Sequence, residues 1–290
     1  MSAFGRKQTL LLNRLAAALQ CAAMVRGPHY YPSKGACIYC NATGVPLSDE
    51  HIVPLSLGGT HVIRNASCAT CRDITSNFEG NVARGLWGDA RTAFDQPTRH
   101  KVRRAKEIPL PTTGLPIPIS DYPGGFVFYK MGQCGFLRGS PETVDISGTW
   151  QLVVIDDDAR RENFTKKYGV AAALEFRHVP DDFGRLLAKI AYCQVLTALN
   201  PGEFEPLALP YILGTKRNLS YIVGSSDGAP ESDNGYRLTT AYADAGDHLI
   251  LLVEIRLYAN THAPTYHVIT GYVTGAANIE CAKAALSAAQ

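Results

Sequence analysis

Apolar residues recur at helical spacing in two places along the chain. Between residues 9 and 25 (TLLLNRLAAALQCAAMV), Leu11, Leu12, Leu15, Leu19 and Ala22 or Ala23 fall near one face, which predicts an amphipathic helix within residues 1–26. Between residues 181 and 199, Phe183, Leu186, Leu187, Ile190 and Ala191 fall at i, i+3, i+4, i+7 and i+8, with Asp181 or Asp182 placed to cap the start. Runs of β-branched and aromatic residues, GFVFYKM at 125–131 and TWQLVVI at 149–155, predict strands. Later, YRLTTAYAD, HLILLVEIRLYA and TYHVITGYV are joined by the short turns AGD and NTHAP, the pattern of an antiparallel meander. The expected class is α+β.

The segment between these patterned regions divides the chain. Residues 107–124 hold five prolines and two glycines and read as a linker or an extended wrapping segment. Residues 1–106 and 125–290 are the two expected modules on either side of it. Charge sharpens that division. Residues 1–109 carry 14 Lys and Arg against 7 Asp and Glu, whereas the remainder carries 14 against 19. A basic half joined to an acidic half places any polyanionic partner on the first. The 9–25 run is broken by Asn13 and Arg14, so it falls short of the roughly 18 unbroken apolar residues of a spanning helix. No membrane association is expected, and the reduced cytoplasm is the expected setting.

Four of the eight cysteines form two pairs of identical spacing, CIYC at 37–40 and CATC at 68–71. Each Cys-x-x-Cys turn curls two sulfurs toward one point, and two such turns complete a tetrahedron. Cys37, Cys40, Cys68 and Cys71 are therefore expected to hold a structural Zn²⁺. The 27 residues between the pairs contain the segment SDEHIVPLSLGG, residues 48–59, in which His51 follows two acids. A carboxylate beside a histidine, on a segment stapled at both ends by metal, is a candidate catalytic arrangement.

Cys-x-x-Cys, then Glu-His-Ile-x-Pro-x-x-x-Gly-Gly, then Asn65, then Cys-x-x-Cys resembles the HNH endonucleases, over about residues 36–80. The resemblance implies a ββα-metal fold, with the histidine on a β-hairpin and a further ligand on the helix. It implies that His51 is the general base activating water against a phosphodiester. It implies that Glu50 is a ligand of a catalytic Mg²⁺ or Mn²⁺, and that Asn65 holds the loop bearing the histidine. Asp49 is then a helper or a solvated neighbour, and Pro54, Gly58 and Gly59 shape the hairpin. The chain departs from the family at residue 72, where Arg stands in place of the usual Asn or His. Arginine cannot ligate a cation. Asp73 is the best replacement by chemistry, ahead of Thr75 and Asn77, although one residue along a helix turns the side chain by about 100°. Arg72 itself could grip a phosphate. His61 is a spare candidate, favoured as a surface residue.

Residues 84–106 add seven Lys and Arg against two acids, with Trp87 and Phe94 interleaved. Beside a nuclease motif, Arg72, Arg84, Arg91, Arg99, Lys101, Arg103 and Arg104 are the expected nucleic-acid contacts. DNA is the expected partner, with RNA left open. Residues 125–290 show no chemical constellation. The aspartates of IDDDARRE read as a cap and a solvated turn, and this half is assigned to regulation, a second copy or a partner. The leading expectation is a metal-dependent endonuclease acting on DNA. The rivals are a zinc-stabilised binding protein without cleavage and a sensor whose second half controls the nuclease.

Overall fold

The computed structural model describes residues 28–93, 106–110, 113–156, 158–231 and 235–289, with the side chains of Asp89 and Thr92 left aside. The expected helix within 1–26, Phe94 and the basic residues Arg99, Lys101, Arg103 and Arg104 lie outside the described residues.

The first elements are β1 (His29–Tyr31), β2 (Leu47–His51), β3 (His61–Cys68) and α1 (Ala69–Asn81). The strands form one sheet of order β1-β3-β2, with β1 parallel and β2 antiparallel to β3. A hairpin followed by a helix is the ββα arrangement that the resemblance implies. The chain continues from α1 through a π-helical stretch, Val82–Leu86, into the short helix α2 (Gly88–Ala93).

The proline-rich segment is a small ribbon of β4 (Glu107–Pro109) against β5 (Pro116–Pro118). Its Leu110, Ile117 and Tyr122 are buried with Ala93 and Phe164 in a small second core. Next, β6 (Gly125–Lys130) pairs with β7 (Gln151–Asp156), close to the two expected strands. A short helix, α3 (Gly135–Arg138), lies between them, and α4 (Asp158–Tyr168) follows where the aspartate run was read as a turn and cap.

The helix α5 (Pro180–Val195) is the spine of the molecule. Phe183, Leu186, Leu187, Ile190 and Ala191 are all fully buried, as their spacing predicts. The helix starts differently from the expectation. Val179 is the N-cap and Pro180 opens the first turn, a position where its missing N–H costs nothing. Asp181 and Asp182 sit inside that turn, and Asp182 accepts a 2.8 Å hydrogen bond from Asn81 Nδ2 at the end of α1. After α6 (Leu209–Ile212), the strands β8 (Val223–Ser226), β9 (Tyr236–Asp244), β10 (His248–Leu257) and β11 (Thr265–Thr274) form a sheet of order β8-β11-β10-β9. The expected meander is its β9-β10-β11 part, and α7 (Ala276–Ala288) follows. Helix α5 packs on this sheet and on α1.

One hydrophobic cluster runs from Cys37 to Leu286 and joins residues of both halves. Trp87 is buried in it and donates from Nε1 to the Val127 carbonyl at 2.6 Å. Among the described residues, no helix is long and apolar enough to cross a membrane.

The turn after β2 explains its glycine pair. A single 3₁₀ turn, Leu55–Leu57, is closed by Gly58 at φ +82°, a left-handed conformation that glycine tolerates best. A Cβ at Gly59 would run into the Val53 carbonyl. Gly59→Ala is therefore expected to destabilise the protein by about 1–3 kcal/mol in urea unfolding, the usual cost of forcing an extra methyl into a filled space.

Candidate active site and metal-binding knuckles

The four cysteines of the two knuckles meet. Cys37, Cys40, Cys68 and Cys71 place their sulfurs within 4.8 Å of one another. Cys40 Sγ and Cys68 Sγ are 3.7 Å apart. That separation is far beyond a disulfide, at about 2.05 Å. It matches the edge of about 3.8 Å that a tetrahedron of Zn–S bonds near 2.3 Å requires. Burial alone would raise the Cys37 thiol, but backbone N–H groups of Cys68, Tyr39 and Cys40 face its sulfur and bring it down to about 7. The donor set, its spacing and its hydrogen bonding all fit a zinc ion. Among the described residues this is the one group of three or more His, Cys, Asp or Glu close enough to share a metal.

Between the knuckles, β2 and β3 pair with a bulge. Ser48 faces Ser67 and Glu50 faces Ile63, so four residues of β3 span the length of two on β2. Asn65 lies in the excess, at φ +44°. Asparagine is among the residues that accept this conformation. Its N–H donates to Asp49 Oδ1 at 2.9 Å, and its carbonyl accepts from Ser33 Oγ at 3.1 Å. Asn65 is thus tied by its backbone to the strand that carries His51.

Successive strand residues point to opposite faces. Glu50 is buried, while Asp49 is exposed and His51 is half-buried. His51 shares a cross-strand row with Val62 and, through β1, with Tyr30. Tyr30 is 49% exposed, and the Arg64 guanidinium lies over its ring at 4.4 Å. Neither Tyr30 nor Arg64 was marked by the sequence reading. The signal was a basic–aromatic pair on adjacent strands, which only the β1–β3 register reveals.

The Glu50 carboxylate points the other way, into the core. Its Oε1 lies 2.7 Å from Lys189 Nζ, and Glu79 Oε1 lies 2.9 Å from the same nitrogen. Lys189 comes from α5, is fully buried, and also donates to the carbonyls of His51 and Ile52. Burial would push its pKa down, but Glu50 and Glu79 outweigh that and hold it above the ordinary lysine value. Lys189 is a charged core residue off the apolar stripe that periodicity marks on this helix.

The expected ligands of a catalytic divalent ion are therefore not brought together. Glu50 is engaged by Lys189, its side chain 8% exposed. Asp73 lies on the outer flank of α1, its side chain 72% exposed and paired with Arg72 at 3.3 Å. A buried carboxylate already in an ion pair and an exposed one do not make a shared cation site. Thr75 is buried and bonded to the Arg72 carbonyl, and Asn77 is exposed.

Of the other expected contacts, Arg84 is exposed. Arg91 is instead structural, with Nε on the Ser56 carbonyl at 2.9 Å and Nη1 on the Ala83 carbonyl at 3.2 Å. His61 is not a simple surface residue. It is half-buried, its Nδ1 lies 3.1 Å from Tyr31 Oη, and its ring stands near those of His29 and Tyr236. Burial and the neighbouring His29 lower its pKa.

Residues 37–81 match the family model described as HNH endonuclease. This HNH segment is a minority of the chain, and its limits coincide with the first knuckle cysteine and the last residue of α1. No curated protein and no solved structure matches the chain.

Metal analysis of the purified protein is expected to find about one zinc per chain. Cys68→Ser should lose it, and the resulting fall in Tm is expected to be about 10 °C.

Proposed function

We propose that the chain is an endonuclease that hydrolyses phosphodiester bonds in DNA, with His51 as the general base. What carries the reading is the placement of His51 within a segment that matches the HNH endonucleases. It lies half-buried, on the face opposite Glu50, in a hairpin whose ends are held by four converging cysteines. In the proposed step a water attacks phosphorus as its proton passes to the His51 imidazole, the P–O bond to the leaving sugar oxygen breaks, and that oxygen takes a proton from solvent. Asn65 and Asp49 fix the strand behind the histidine. Arg64 offers charge to a phosphate and Tyr30 a ring face to a base, the combination that grips nucleic acid without reading sequence. The exposed Arg72 and Arg84 extend the same chemistry along α1 and the turn after it.

The resemblance implies Mg²⁺ or Mn²⁺ for the charge of the reacting phosphate. The residues expected to hold it, Glu50 and Asp73, do not fit one ion. That observation favours a second reading, a zinc-stapled protein that binds nucleic acid without cutting it.

A plasmid nicking assay with Mg²⁺ or Mn²⁺ separates the two. His51→Ala is expected to lower the nicking rate at least about 100-fold, the usual worth of a general base. Equal cutting by the variant, or no cutting by the wild type with either ion, would sink the enzyme reading. Arg64→Ala is expected to weaken DNA binding for all sequences alike and to reduce the salt slope by about 1. A change confined to one DNA sequence would contradict that role.

A further inference from the structure

Four oxygens surround Lys189 Nζ: a carboxylate oxygen each from Glu50 and Glu79, and the carbonyl oxygens of His51 and Ile52. An ammonium has three N–H donors, so the acceptors outnumber them. Two carboxylates and two carbonyls form an all-oxygen set of the kind that hard divalent cations take. The set is shared between β2, the residue after it and α1, while the cation comes from a helix more than a hundred residues later in the chain. The carboxylate nearest the ammonium is the one that the HNH resemblance nominates for a metal.

We propose that the Lys189 ammonium is the resident cation of this oxygen cage and takes the place of a divalent ion on Glu50. The inference rests on the HNH reading only for the expectation that Glu50 would hold an ion. A tethered ammonium needs no metal supply and cannot dissociate. It leaves Glu50 with a structural task beneath His51, and any ion used in cleavage must be held without that carboxylate.

The test uses the zinc-loaded 290-residue chain, with Mn²⁺ as the probe followed by electron paramagnetic resonance, alongside thermal unfolding. Glu50→Gln is expected to leave Mn²⁺ binding within about twofold of wild type while lowering Tm, because it removes one partner of a buried ion pair. Lys189→Ala vacates the cage, so it should take up one additional Mn²⁺ per chain and regain Tm as Mn²⁺ is added. Lys189→Ala/Glu50→Gln should lose both effects. A tenfold or greater loss of Mn²⁺ affinity in Glu50→Gln would overturn the proposal. So would a folded Lys189→Ala that binds no additional ion. Should Lys189→Ala fail to fold, Glu50→Gln alone decides. Neither readout uses cleavage, so an inactive wild type would end the nuclease reading and leave this one standing.

Discussion

A buried ammonium is tolerated only where opposite charge and hydrogen-bond acceptors surround it, and the arrangement around Lys189 follows from that constraint. Taking such an ion out of water costs several kcal/mol even after relaxation, and removing one partner of a buried pair typically costs about 3–5 kcal/mol. Glu50 on β2, Glu79 on α1 and Lys189 on α5 must therefore be placed together or not at all. The same nitrogen also fixes the backbone at His51 and Ile52. Once Glu50 is turned inward, strand alternation turns His51 toward the other face. The orientation of the candidate base is thus a consequence of a charge buried beneath it. The HNH segment is not a bead on a string, because its inner face is completed by a helix of the second half. Tyr192 on that helix also donates to the Ile38 carbonyl in the first knuckle, at 2.5 Å.

The knuckles and the bulge solve a different problem. A three-stranded sheet this small has little core of its own. Four cysteines draw the start of the segment to the β3–α1 junction, and the excess residues of β3 near Asn65 absorb the difference in register between the cysteine end and the histidine end. At the far end, Gly58 and Gly59 let the chain fold tightly over Val53, and Arg91 pins the turn through the Ser56 carbonyl. The cysteine cluster, a glycine turn and the buried Lys189 each restrain a different stretch of the same loop.

What could be read from the sequence was local. The cysteine spacing, the Gly-Gly pair, the periodicity of α5 and the β9–β11 strands are each carried by residues close together in the chain, and each appears in the structure where it was expected. What could not be read was long-range. Glu50 looks like a metal ligand until the residue 139 positions later that faces it is known, and Lys189 falls off the apolar stripe of α5, where periodicity alone gives a lysine to solvent. Arg91 looked like a phosphate contact because a basic tract carries no information about which of its members are spent on carbonyls. Tyr30 and Arg64 are joined by a parallel pairing, β1 on β3, that no turn signals. The start of α5 was misread because two aspartates beside a helix resemble a cap, whereas Pro180 already occupies the first turn.

The division of charge gains a physical meaning from this arrangement. Arg64, Arg72 and Arg84 are exposed on or next to the HNH segment, and the half of the chain that supplies α5 is net acidic. A polyanion approaching the molecule is attracted to the first half and repelled by the second, over distances of about a Debye length or less. The acidic half nevertheless contributes its own cation, Lys189, inside the basic half. That residue cannot take part in attraction, because it is fully buried and matched by two carboxylates. The charges that face solvent and the charge that holds the fold are therefore separate populations. Substitution of the exposed arginines leaves Lys189, Glu50 and Glu79 untouched, so the inner support of His51 does not depend on the charges that face solvent.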